Sequence, residues 1–172
     1  MNVILESDRL IIRSLMSADK DLFYEMMSDP EVMNPIPQAL FSKDQSDQKL
    51  AELIEIEPQG EKLIWAIIEQ GNNDLIGICG FLINTDGNRE LAYRFRSNYW
   101  GKGYGTEVAK ALLVHGFKEL NYGIIDGDAW KENTKSVKIL TKFMTKVDEF
   151  WNENDGCIDV RYRVEKNEYF NL

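Results

Sequence analysis

Trp100-Gly101-Lys102-Gly103-Tyr104-Gly105 decides how this chain folds. Before it, residues 90–96 (Glu-Leu-Ala-Tyr-Arg-Phe-Arg) have the character of a strand. After it, from Thr106, Ala109, Leu113, Phe117 and Leu120 recur as one helical stripe with Val108 and Leu112 beside it. A strand therefore runs through a glycine loop straight into a helix. Glycine tolerates positive φ and lacks the side chain that would hold a ligand off, while a helix N-terminus presents unpaired N–H groups and partial positive charge. The combination predicts a backbone shaped to take an anion such as phosphate. A tight strand-to-helix connection with no ligand is the competing reading of the loop by itself.

Spacing separates this loop from other phosphate loops. A dinucleotide fingerprint begun at Gly101 or Gly103 needs glycine at 106 or 108, where Thr106 and Val108 stand. No Gly-Lys-Ser/Thr end lies in register for a P-loop either. What remains is the pattern x-x-x-G-x-G/A, which residues 100–105 satisfy.

Working outward, residues 63–69, 75–83 and 90–96 read as three antiparallel strands in a meander, separated by Gly71-Asn72-Asn73 and Asp86-Gly87. Upstream, Leu10-Ile11-Ile12 is a short strand. Ser17 then reads as the cap of a helix carrying Leu22, Phe23, Met26 and Met27, closed by Asp29-Pro30. Past an irregular stretch around Pro35 and Pro37, Ser42 and Gln45 have capping-box spacing before a second helix over about 43–56. Downstream come a strand at 124–129, a helix at 134–144, and a closing hairpin of 147–151 with 158–164 across Asn154-Asp155-Gly156. No repeat or linker interrupts the 172 residues, which read as a single domain over 1–172.

Composition excludes several function classes. The net charge of −9 opposes nucleic-acid binding. No apolar run nears the roughly 20 residues of a membrane span, and the N-terminus shows no signal peptide, so the expected location is cytoplasmic. Cys79 and Cys157 are far apart, which argues against disulfides and thiolate metal sites and suits buried packing in a reducing compartment. His115, the only histidine, falls within the helical stripe and offers no metal cluster or triad.

The segment Glu90-Leu91-Ala92-Tyr93-Arg94-Phe95 with Tyr99-Trp100-Gly101-Lys102-Gly103-Tyr104-Gly105-Thr106-Glu107 resembles the acetyl-CoA signature of the GNAT acetyltransferases, in their RimJ/RimL-like branch. Asp8-Arg9-Leu10-Ile11-Ile12-Arg13, Ser28-Asp29-Pro30-Glu31-Val32 and Glu132-Asn133-Thr134-Lys135-Ser136 extend the likeness over almost the whole chain. Three departures stand out. Trp100 occupies a position often Gln or Arg in the wider superfamily, and Ala92 stands where glycine is usual. Lys142-Phe143-Met144-Thr145 replaces a Lys-Leu-Gly-Phe-like helix end, which bears on the acceptor wall.

The resemblance implies an α/β fold of the α+β type: a central, mixed but mostly antiparallel twisted sheet of about six or seven strands, flanked by about four helices. It implies that the strand ending near Phe95 splays from the one at 124–129 to admit the pantetheine arm of acetyl-CoA. Backbone groups near Arg94 and Phe95 would bond that arm, and the loop formed by Trp100, Gly101, Lys102, Gly103, Tyr104, Gly105 and Thr106 would hold the cofactor's phosphates. No metal is implied. Lys102 and Lys142 are candidates for those phosphates, against the plainer reading of solvated lysines.

Ser136 matches the family's Asn-x-x-Ser position and is the candidate proton donor to sulfur, with Asn133 holding cofactor or water; helix capping by both is the alternative. Glu90 is the candidate base, with Asp148 and Glu149 as rivals. Tyr93, Tyr104 and Trp100 line the cleft or belong to the core. The expected activity is transfer of acetyl to a primary amine, on a protein N-terminus, polyamine or other small molecule, with the acceptor wall formed by helices around residues 26–53. A non-catalytic acyl-CoA sensor or interaction module is the alternative. A homodimer is the commonest assembly for such chains.

Overall fold

Residues 63–69, Leu-Ile-Trp-Ala-Ile-Ile-Glu, carry apolar side chains on both faces, the signature of a strand buried on both sides. In the computed structural model, which describes residues 2–34, 39–60 and 62–171, that strand is β3 (Leu63–Glu69), third in an eight-stranded sheet. Pro35 and Pro37 lie outside the described residues. The other strands are β1 (Val3–Glu6), β2 (Leu10–Arg13), β4 (Gly77–Ile83), β5 (Arg89–Phe95), β6 (Ile124–Trp130), β7 (Thr145–Asn152) and β8 (Cys157–Glu165). Their order is β1-β2-β3-β4-β5-β6-β8-β7, antiparallel throughout except for the parallel pair β5 and β6.

The helices are α1 (Lys20–Met27), α2 (Pro30–Met33), α3 (Lys43–Ile56), α4 (Tyr104–Lys118), α5 (Thr134–Leu140) and α6 (Lys166–Asn171). None is long and apolar enough to cross a membrane among the described residues. The sheet separates two cores. On one face Trp65, Ile67, Cys79, Phe81 and Leu91 pack against Val108, Leu112, Leu113 and Phe117 of α4. On the other, Ile64 and Ala66 meet Phe23, Met26, Met33, Leu50 and Leu53 of α1, α2 and α3. Val108, Leu112, Leu113 and Phe117 are fully buried, and each such side chain contributes about 1.5–3 kcal/mol.

The mostly antiparallel sheet with helices on its faces is as expected, with one strand and two helices more than about seven and four. The additions are the short edge strand β1, the single-turn α2 and the terminal α6. Asp29-Pro30 does not simply end α1. The Asp29 carboxylate accepts from the Glu31 amide at 2.9 Å and Pro30 opens α2, the first-turn position where its missing N–H costs nothing. Nor does Ser17 cap α1. A 3₁₀ turn at Ser17–Asp19 precedes it, and Asp19 stands at the N-cap position without a side-chain cap bond; its carboxylate accepts instead from the Met16 amide at 2.8 Å and forms a buried two-pronged pair with Arg13 at 2.6 and 2.8 Å. Ser42 and Gln45 do form the expected capping box on α3. The late helix stops at Leu140, short of 144, so Lys142 lies in the turn that follows it.

Candidate functional site

The sheet parts between β5 and β6. Their register holds only at Arg89 with Ile125 and Glu90 with Asp126, although β5 continues to Phe95 and β6 to Trp130. On its other side β5 is paired with β4 along its whole length. The Arg96 amide donates to the Ile76 carbonyl at 2.9 Å, so by antiparallel alternation the main chain of Glu90, Ala92 and Arg94 faces β4, and that of Leu91, Tyr93 and Phe95 faces the gap.

This alternation corrects the expectation for Arg94 and narrows that for Phe95. Arg94 gives its backbone to β4, and its Nη1 lies 3.3 Å from the sulfurs of Met27 and Met33 on the α1/α2 side. Phe95 is on the gap edge, but its carbonyl already accepts the Trp100 indole N–H at 3.0 Å and its ring is buried. Tyr93 and Phe95 amides are therefore the edge groups that face the gap.

At the end of β5 a 3₁₀ turn at Ser97–Tyr99 delivers the glycine loop. Gly101 and Gly103 have φ of 77° and 83°, and Gly103 is the N-cap of α4 with no side-chain cap. A Cβ added at Gly101 would meet nothing within 4 Å, so the loop's outer side is open to a ligand, and the main-chain N–H groups of the first turn of α4 stand at its edge. Gly105 answers a different need: a Cβ there would lie 2.7 Å from Ile139 Cδ1, so its absence lets α4 and α5 pack closely.

Lys142 reaches the same helix end, its Nζ 3.1 Å from Thr106 Oγ1. Lys102 is turned instead toward the Tyr99 ring, 4.6 Å from its centroid, and Glu69 at 3.8 Å. Tyr104 is a buried residue whose hydroxyl bonds Glu69. Trp100 is half-buried and touches both cores, with Lys135 Nζ 4.4 Å above its ring.

Across the gap, Asn133 Oδ1 accepts from the Ser136 amide at 3.2 Å, which makes Asn133 the cap of α5. The Ser136 hydroxyl is spared from capping and lies 3.1 Å from the Tyr93 hydroxyl. Glu90 occupies the other face of the sheet. Burial, and then the nearby Asp128 charge, push its carboxyl up to about 8, with Arg161 acting in the opposite sense. Arg161 is itself buried, paired with Asp128 at 2.7 Å and Asp86 at 2.6 Å. Glu149 is held near 2 by hydrogen bonds from Lys131 and Lys146, and Asp148 is exposed on the edge strand β7. Cys79 and Cys157 are buried free thiols, and His115 packs edge-on to Trp65 at 5.7 Å. Among the described residues no group of three or more His, Cys, Asp or Glu is placed to hold a metal.

Sequence reasoning missed Arg9 and Glu107, which brace the glycine loop from positions far apart in the chain, and Arg161 with Asp128, which set the surroundings of Glu90. No local pattern announces such pairs. The DRLIIR run at 8–13 was the one available pointer to Arg9.

Comparison with known proteins is consistent along the chain. Residues 9–143 match the family model described as the acetyltransferase (GNAT) domain. An uncharacterised N-acetyltransferase of Bacillus licheniformis, p20, is 30% identical over 139 residues, 79% of this chain and 78% of that protein. An acetyltransferase structure of the same family from Bacillus anthracis superposes with a TM-score of 0.83 at 26% identity, covering 95% of this chain and 99% of the other. The ribosomal alpha-N-protein acetyltransferase RimL, solved in complex with coenzyme A, shares the fold with a TM-score of 0.81 at 15% identity, covering 95% and 98%.

Proposed function

Since the chain belongs to the GNAT acetyltransferase family, we propose that it moves the acetyl group of acetyl-CoA to a primary amine by direct attack at the gap between β5 and β6. The observation that carries this reading is the gap itself, flanked by Tyr93 and Ser136 on one face and by Glu90 on the other.

The glycine loop and the first turn of α4 take the diphosphate through main-chain N–H groups, with Lys142 beside them. The gap-facing amides of Tyr93 and Phe95 bond the pantetheine arm and polarise the thioester carbonyl, where charge develops during attack. A primary amine has a pKa near ~10 and must reach the carbonyl uncharged. Glu90, poised near 8, accepts the amine's proton and passes it to solvent. The new N–C bond forms as the C–S bond breaks, and the Ser136 hydroxyl gives its proton to the departing sulfur, recovering one from solvent.

The chain's net charge of −9 favours an amine on a cationic molecule through attraction as it approaches. The test is a mass-shift screen of polyamines, small amines and peptides incubated with the protein and acetyl-CoA, read alongside free-thiol release. Amine-dependent thiol release is the expected result. Tight coenzyme A binding without release to any acceptor would replace the enzyme with an acyl-CoA sensor.

A further inference from the structure

The turn between β1 and β2 reaches across to the glycine loop. Arg9 donates Nη1 to the Lys102 carbonyl at 3.0 Å, and its Nε and Nη2 grip Glu107 Oε2 at 2.8 and 2.6 Å. Its own amide donates to Glu107 Oε1 at 2.9 Å, and the Ser7 hydroxyl donates to the same oxygen at 2.7 Å. The guanidinium lies over the Tyr104 ring, 4.6 Å from the centroid. It also crosses Gly103, where an added Cβ would stand 3.6 Å from Nη2.

Two effects follow. A carbonyl bonded within the loop fixes the peptide planes that frame Gly103, so less conformational entropy is lost when a ligand binds. Glu107 stands in the first turn of α4, where an ionised carboxylate competes with a bound anion for the helix's positive end. Although burial opposes it, the bonds from Ser7 and Arg9 keep that carboxyl below its ordinary range, so it is charged at neutral pH. A guanidinium locked onto it removes the repulsion.

We propose that Arg9 is a positioning residue for the diphosphate loop: from a different part of the chain it presets the backbone at Lys102 and Gly103 and neutralises Glu107, so that the diphosphate of acetyl-CoA meets a preformed, uncontested anion site. This rests on the acetyl-CoA reading of the loop.

The experiment uses the full chain with two ligands, coenzyme A by calorimetry and pantetheine, which lacks the diphosphate, by ligand-observed NMR. Arg9→Ala should weaken coenzyme A by roughly tenfold, the factor of one lost charge-assisted contact, and leave pantetheine unchanged. Arg9→Lys should recover part of the loss, which also covers the case in which the alanine variant folds poorly. Arg9→Ala with Glu107→Gln should bind coenzyme A more tightly than Arg9→Ala alone, because the exposed negative charge is gone. Coenzyme A affinity within about twofold of wild type in Arg9→Ala, equal losses for both ligands, or no gain in the double variant would each overturn the proposal. A wild-type chain that takes up no coenzyme A at all would instead sink the parent reading and this one with it.

Discussion

The hydroxyls of Tyr93 and Ser136 lie 3.1 Å apart, joining β5 to the first turn of α5 at the gap. Burial pushes the Tyr93 phenol up to about 12, so it keeps its proton at any working pH. Because Asn133 supplies the cap of α5, the Ser136 hydroxyl is left free of capping and meets Tyr93. Under the proposed reaction, a Tyr93 hydroxyl that donates to Ser136 Oγ would leave the Ser136 proton for the sulfur.

Ser136→Ala should lower kcat by roughly 100-fold, at the low end for a lost proton donor, while acetyl-CoA affinity stays within about twofold. Tyr93→Phe should cost roughly tenfold, and the double variant should be no worse than Ser136→Ala alone, since the two act as one unit. Initial rates of thiol release give these values. Full turnover in Ser136→Ala would remove it from the reaction.

Glu90 gives two opposite pH signatures. As a base that must be ionised, it predicts a rate that rises with pH and levels above about 8, with the rise abolished in Glu90→Gln. Stability should run the other way. The folded carboxyl titrates above its ordinary value near 4.5, so the folded state binds the extra proton between those two pH values and stability falls across that window. Thermal melts from pH 5 to 9 should therefore show Glu90→Gln gaining on wild type as pH rises. Parallel melting curves would contradict the burial of that charge.

Gly103→Val should abolish measurable coenzyme A binding while far-UV circular dichroism remains that of the wild type. At a φ of 83° a β-branched residue costs about 1–2 kcal/mol of backbone strain, and its methyls would stand between the loop and Arg9. Calorimetry reads the outcome directly. Retained binding would detach the loop from the cofactor.

Asp19→Ala should destabilise the fold by about 3–5 kcal/mol, because it leaves the buried Arg13 guanidinium without its counter-charge. Replacing both, with Arg13→Met and Asp19→Leu, should recover most of that loss. Urea midpoints measured side by side test the pair.

Elements with strong local signals were legible from sequence. The doubly buried run at 63–69 and the Ser42–Gln45 box give β3 and α3, and the glycine loop with the apolar stripe from Thr106 gives α4, which begins two residues earlier, at Tyr104. β1 escaped because a four-residue edge strand, exposed at both ends, carries no alternation long enough to read. α2 escaped because Asp-Pro closes one helix and opens another with the same two residues. The loop, Ser136 and Glu90 stand out from sequence as candidates, and in the fold they lie around the gap between β5 and β6. Which face of β5 each residue's backbone served could not be read there, since that depends on the β4 register, and this is why Arg94 was placed on the wrong edge. The Arg9–Glu107 clamp joins residues 98 apart, and two ordinary charged side chains give no hint of each other at that distance.

The scarcity of bonds between β5 and β6 has a mechanical consequence. Five strands on one side and three on the other each form a complete ladder of their own, so the molecule consists of two laminae stitched at one end and bridged by α4. Prising them apart at the open end breaks no strand-to-strand bond. An opening there leaves both ladders intact, and on the proposed reading it would widen the passage for a long, flexible thioester and its spent thiol.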